Sequence, residues 1–475
     1  MDLELEVVPD ETIFEMYTEA ELEQLRVEQA GAGHGSLDLG FANHGISFGN
    51  AAVWHGVRFN WRDEAVREIR GINVTLWQPQ ANIDGSIHAL SLGLWGPRAD
   101  DLTGVSVGLA TVRGREHLRG IWLGGLGAEG GEMLGVGASL GVQVARGGAR
   151  GVFLSGLVNA SAGGLKESQF DEAFDDIDDE LEEARAENQS LNEDELVAHA
   201  REEMKRVSEA VARAGQRFEL VHGADALHGV AVAGLANVRG GQVHGVQLAG
   251  MANVTTGGLN GAQASLLTNV TNGSVRGVQL SGLANVVNGS VDGVELSGLA
   301  SVHNGTLRGV VASGLSTVSN GGLQGVALSG LANVSNGYAE GLHVSGIANV
   351  NNGRATGIFG AGVANFSNGP SRGLFLGGLA NVNNGPANGL YLSFGGFYSP
   401  ALTGFAVGGL KAESHSSTGV QVGLWNEVHT SLNGLMIGAY NEVEGEASGA
   451  MIGVLNHVPS NPAWARWLPL FNTSF

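Results

Sequence analysis

The sequence predicts an all-β fold, a parallel β-solenoid of 15-16-residue coils with terminal caps and an inserted α-helical hairpin. Three observations predict it. The chain repeats on itself every 16 residues from Gly229, with first glycines at Gly245, Gly261, Gly277, Gly293 and onward to Gly389, and every 15 residues from Gly404 through Gly419 and Gly434 to Gly449. Within a unit Val278 and Leu280 alternate with Gln279 and Ser281, the period-2 signature of a strand with two different faces. Glycine supplies 78 of the 475 residues, far above ordinary usage, while apolar residues still make up 43%, so a core forms around many glycines.

Taken in order, residues 1–30 form an N-terminal cap with a short helix, in which Thr18 and Glu21 have the spacing of a capping box ahead of Leu22 and Leu25. Residues 31–165 make a first solenoid segment with looser copies opening at Gly71, Gly104, Gly120 and Gly151. Glycine nearly vanishes over 166–220, where Phe170, Phe174, Ile177 and Leu181, then Leu196, Ala200, Met204, Val207 and Val211, mark the two arms of an acidic α-helical hairpin. Its carboxylates lack the spacing of a twelve-residue calcium loop and read as a solvated face. Residues 221–458 hold the regular repeats. There the pairs Asn272-Gly273, Asn288-Gly289 and their successors to Asn384-Gly385 are read as tight turns with a left-handed glycine. Residues 459–475 form an aromatic cap in which Trp464, Trp467, Leu468, Leu470 and Phe471 cover the last coil. About twenty coils at one strand spacing each give a rod on the order of 100 Å.

The competing architecture is an outer-membrane β-barrel in which each unit is one strand, kept in view by the terminal aromatic Phe475. A barrel of that kind calls for short turns alternating with long loops, a doubled period that is not visible.

The net charge of -22, from 25 basic and 47 acidic residues, repels phosphates and makes nucleic acid an improbable partner. There is no cysteine, hence no disulfide, thiolate ligand or cysteine nucleophile. HExxH, GxxxxGK[ST] and HxH are missing, and the fourteen histidines scatter over different columns. The expectation is therefore no catalytic residue, no metal and no cofactor. The acidic start, Met1 to Val8, does not read as a signal peptide, which leaves a cytoplasmic location open.

A solenoid turns sequence columns into linear arrays. Asn237, Asn253, Asn269, Asn285, Asn333, Asn349, Asn365 and Asn381, with Ser301 and Thr317 in the gaps, are expected to hydrogen-bond from coil to coil as a structural ladder. Ser265, Ser281, Ser297, Ser313, Ser329 and Ser345 form a second column, either a row for a regular partner such as a glycan or small residues that permit close stacking. Phe359, Phe375 and Tyr391 form a third, which either faces outward to stack on sugar rings or packs under the segment Phe394 to Pro400. Trp54, Trp61, Trp77, Trp95 and Trp122 read as a thick core near the first cap.

The phrases GLANVVNG, GLANVNNG, VGLWNEV and NPAWARWLPLFN resemble bacterial surface-repeat proteins of spirochaetes and Bacteroidetes, a family of Gly-Leu-x-Asn repeats, over about 71–165 and 229–475. The resemblance implies a cell-surface or envelope location and no catalytic activity. The leading functional expectation is a rigid structural or adhesive rod that contacts protein or glycan at the cell envelope. A carbohydrate-binding or carbohydrate-active β-helix is the alternative, and the barrel a second. No membrane insertion is expected unless the barrel holds.

Overall fold

The structure is a computed structural model that describes residues 35–79, 84–161 and 226–473. The first-cap helix and the α-helical hairpin therefore lie outside the described residues. What is described is all-β, a parallel solenoid of about 21 coils with no helix. Two compact units divide the chain, Met1–Ala233 with Val238–Gln242, and Gly234–Asn237 with Val243–Phe475.

In the second unit each coil contributes one long and one short strand, for example Val275–Ser281 and Ala284–Val287. Each pairs in parallel with its equivalent one coil later, Val275 opposite Val291 and Ala284 opposite Ala300. Parallel pairing of neighbours 16 residues apart is incompatible with an up-and-down barrel, whose consecutive strands run antiparallel. The barrel reading is thereby overturned. From Gly396 the two strands of a coil merge into long ones, Gly396–Gly408, Lys411–Val422 and Trp425–Val443, and Gly404, Gly419 and Gly434 stay in register across the shorter period.

The last strand, Trp467–Thr473, runs antiparallel to Ala450–His457 and so ends the parallel stack. The aromatic cap is not built as the sequence suggested. Trp464, Trp467, Leu470 and Phe471 are more than half exposed, while Val458, Ala465 and Asn472 are the fully buried residues of this end. The chain reverses here, and the strand blocks the edge with its backbone while its aromatic side chains stay outside.

The described part of the first unit begins with an antiparallel hairpin, Ser36–Phe41 with His44–Gly49, turned by Ala42 and Asn43 at φ 49° and 61°. The second arm then pairs in parallel with Val53–Asn60, and coil stacking continues from there. Trp54 and Trp122 are buried, whereas Trp61, Trp77 and Trp95 are 65%, 53% and 44% exposed, so the thick tryptophan core is reduced to two of the five.

Positive φ belongs to a different glycine column from the one the sequence suggested. The first glycine of each unit takes the left-handed region within the long strand, at φ 131° for Gly277 and 150° for Gly293, and a Cβ there would also overlap the backbone of the equivalent glycine one coil away. The Asn-Gly glycines do not adopt positive φ; they are small because a Cβ on Gly289 would overlap the backbone of Gly273 in the neighbouring coil. Close coil stacking, rather than turn geometry, selects them.

Inside the second unit runs an apolar column of Val243, Leu259, Val275, Val291, Leu307 and Leu323, each at most 2% exposed. Each such side chain contributes about 1.5–3 kcal/mol of burial free energy. The alternating strand residues turn polar inward and apolar outward, with Gln279 fully buried and Leu280 39% exposed.

Candidate functional site

The inner asparagine column stands on the short strands with its side chains buried. Nδ2 of Asn237 donates to Oδ1 of Asn253 at 2.8 Å, Asn253 to Asn269 at 2.9 Å and Asn269 to Asn285 at 3.0 Å; the chain resumes from Asn333 to Asn349 at 3.0 Å, then to Asn365 and Asn381 at 2.9 Å each. Each amide also donates to a long-strand carbonyl of the next coil, Asn333 to Val344 O at 2.9 Å. Buried amides thus have partners on both sides, which removes the 1–3 kcal/mol penalty of an orphaned polar group. At the gaps, Ser301 bonds Ser297 at 2.9 Å and Thr317 bonds Ser313 at 2.6 Å. The ladder is rebuilt at the C-terminal end by Asn426, Asn441 and Asn456, 2.7 Å apart.

Two further ladders escaped sequence reasoning. The asparagines of the Asn-Gly pairs donate in the reverse sense, Asn288 to Asn272 and Asn304 to Asn288 at 2.7 Å, on the exposed surface. Their recurrence every 16 residues was the available signal, hidden by their reading as turn residues. At the third position of the unit, Gln263 Nε2 donates to Gln247 Oε1 at 2.6 Å and Gln279 Nε2 to Gln263 Oε1 at 2.9 Å, braced by Thr255 and Thr271. The next coil puts Glu295 there, and its carboxylate bonds the imidazole of His303, both side chains being fully buried.

The candidate serine column faces this interior. Ser297, Ser313, Ser329 and Ser345 are less than 9% exposed, and Ser265 and Ser281 are half-buried. All six line an open groove of about 820 Å³ that follows the column, together with Leu280, Leu296 and Leu328. The outward reading of the aromatic column is corrected outright. Phe359, Phe375 and Tyr391 are at most 1% exposed and stack face to face at 4.7 and 4.9 Å, and Tyr391 meets Phe397 at 5.3 Å. No sugar ring can reach them. The column is the third position, the one occupied by the glutamine ladder in earlier coils, and it points inward throughout. His343 extends the stack, 4.8 Å from Phe359, and burial pushes its pKa down to about 4. Burial likewise raises the Tyr391 hydroxyl to about 12; that hydroxyl donates to Ser371 O at 3.1 Å.

Outside, the second unit presents leucine rows. Leu280, Leu296 and Leu328 form one, and Leu283, Leu299, Leu315 and Leu331 another, each residue about two-fifths exposed. The second, fourth and seventh positions carry no charged residue from Val246 through Leu392.

On the coils near the C-terminus, charge takes over the surface. Lys411 bridges Glu413 and Glu427 at 2.7 and 2.8 Å, and His429 bonds Glu444 at 3.0 Å and Glu413 at 3.2 Å. The Glu444 bond, with help from Glu413, raises the pKa of His429 against a smaller opposing effect of burial; the Lys411 bond lowers that of Glu413. An imidazolium donating on both sides accounts for this geometry without another ligand. Glu427, His429 and Glu444, and in the first unit Asp101, Glu116 and His117, each bring three donor atoms within 4.8 Å of one another, and are the described residues best placed to hold a cation. No family model, no curated protein and no solved structure matches this chain.

Proposed function

We propose that this protein is a non-enzymatic structural or adhesive repeat protein whose solenoid walls make its contacts, with protein or glycan at the cell envelope. The observation that carries the reading is the division of labour within a coil. Polar side chains of the repeat bond one another from coil to coil, and the second, fourth and seventh positions form outward rows of apolar residues without charge. Such rows match an apolar protein surface better than a polyhydroxylated one, so protein is the favoured partner. The resemblance to surface-repeat proteins supports the envelope as the setting.

The test presents the purified chain to immobilised envelope proteins and to a glycan array, and analyses the array supernatant by mass spectrometry. Binding without cleavage, weakened at least tenfold by Leu283→Glu with Leu315→Glu, is expected. Released oligosaccharide would overturn the reading in favour of a carbohydrate-active β-helix. A carbohydrate-binding role has one observation of its own, the exposed indoles of Trp61 and Trp77 stacked at 5.9 Å. Glycan binding abolished by Trp61→Ala but untouched by the leucine changes would favour it.

A further inference from the structure

Resting on that reading, we propose that the leucine wall of the second unit is a self-association surface, and that its partner is a second copy of this chain docked wall to wall. The wall is unusual first for its lack of charge. In a chain with net charge -22, ten consecutive coils place only apolar or small residues at the second, fourth and seventh positions, while Arg276, Asp292, Arg308 and Glu340 all stand at the unit's sixteenth position, before the first glycine of the next coil and at the edge of the wall. It is also large enough. Ten rungs at ~4.8 Å and five residues at ~3.3 Å give an area on the order of 800 Å². That equals the ~800 Å² each partner contributes to a stable interface and exceeds the ~300–600 Å² apolar patch of a typical monomer.

The relief of the wall selects among apolar partners. Leu280, Leu296 and Leu328 stand as a ridge, notched at Ala312, beside a furrow of about 820 Å³ also lined by Gly298, Gly314 and Gly330. A second copy carries the same ridge at the same rung spacing. Every leucine that enters the furrow therefore finds an equivalent gap, and a two-fold axis lets both copies do so at once. A bilayer surface has no such repeat and would leave the furrow unfilled. Because the ridge leucines are already about two-fifths exposed in the single chain, docking removes that surface from water without rearranging the coil.

The experiment is sedimentation velocity of the full chain in detergent-free buffer over a hundredfold range of concentration. A dimer is expected, with a dissociation constant raised more than tenfold by Leu296→Glu with Leu328→Glu and unchanged by Arg276→Glu with Arg308→Glu. If the leucine variant loses its β circular dichroism, the chain's lack of cysteine allows a second measurement: Leu296→Cys labelled with pyrene maleimide should show excimer emission, and Arg276→Cys should not. A monomer at every concentration, a dimer indifferent to the ridge changes, or a monomer that floats with phosphatidylcholine vesicles each overturns the proposal. A monomer that still binds an envelope protein sinks self-association and spares the broader reading; a dimer that binds neither protein nor glycan does the reverse.

Discussion

The third position of the repeat is solved in two opposite ways within one unit. In the coils opening at Gly245, Gly261 and Gly277 it holds Gln247, Gln263 and Gln279, a hydrogen-bonded ladder; in those opening at Gly357, Gly373 and Gly389 it holds Phe359, Phe375 and Tyr391, a ring stack. The strands around both pair in the same register, and the same inner asparagines stand alongside. The frame is thus specified elsewhere, by glycines where coils touch, by the asparagine ladder and by the apolar column. In those two sets the third position has a neighbour of its own kind one coil away, amide on amide or ring on ring, while the coils between carry Glu295, Val311, Ala327 and His343 there. Stacking makes like residues partners, and a change of chemistry costs most where it strands a side chain between unlike neighbours.

The largest expected effect comes from crossing the two solutions. Phe375→Gln would bury an amide between two rings and lose both stacking contacts, and should cost about 4 kcal/mol in urea unfolding. A loss below about 1 kcal/mol would mean that the interior there is loose enough to rearrange. Next comes the shared frame. Asn333→Leu strips partners from Val344 O, Asn349 Oδ1 and Ser329 Oγ and should cost about 3 kcal/mol. The equivalent Asn253→Leu, among the glutamines, should cost the same; a marked difference between the two would show that the third position does influence the frame.

His343 sits where a polar residue meets the ring stack, and it makes the comparison pH-dependent. Its pKa falls from an ordinary 6.5 to about 4 in the folded chain because burial penalises the imidazolium. A folded pKa below the unfolded one means that full stability is present above pH 6.5 and is lost as pH falls from there toward 4. At pH 5 the loss is about 2 kcal/mol. His343→Phe should lengthen the stack and abolish that loss, so that variant and parent differ much more at pH 5 than at pH 8 in thermal melts. Equal differences at both pH values would place the imidazole in contact with water.

The contrast also explains what could be read in advance. Period, strand character, parallel stacking and the inner asparagines follow from spacing alone, because a residue that recurs every coil must meet its own copy. The direction of a column does not. Alternation in Val278-Gln279-Leu280-Ser281 announces two faces, but the usual inference that the apolar face is inside fails when the polar face can satisfy itself by stacking, as Gln279 does. The same ambiguity left Phe359, Phe375 and Tyr391 with an outward option and concealed the leucine wall. It also gave the Asn-Gly glycines a turn role, since a glycine needed for close approach and one needed for positive φ look alike in sequence. Trp61 and Trp77 show the reverse failure, large apolar residues that hydrophobicity assigns to a core and the coil places outside.

The smallest effect tests whether the glutamine ladder stabilises or only satisfies itself. Its interior bonds are complete, yet its ends are not: Gln247 Nε2 and Gln279 Oε1 are buried without partners. Gln263→Leu removes the middle rung and leaves Gln247 Oε1, Gln279 Nε2 and two threonine hydroxyls short of a bond, for a cost of about 1.5 kcal/mol. Replacing the whole assembly, Gln247, Gln263 and Gln279 with Leu and Thr255 and Thr271 with Val, removes donors and acceptors together, including the two orphaned ends. That variant should be at least as stable as the single one despite carrying five changes, because the penalty attaches to unmatched groups and not to the number of amides removed. If instead the five changes cost several times the single one, the ladder is a net source of stability, and the two solutions at the third position are unequal in kind.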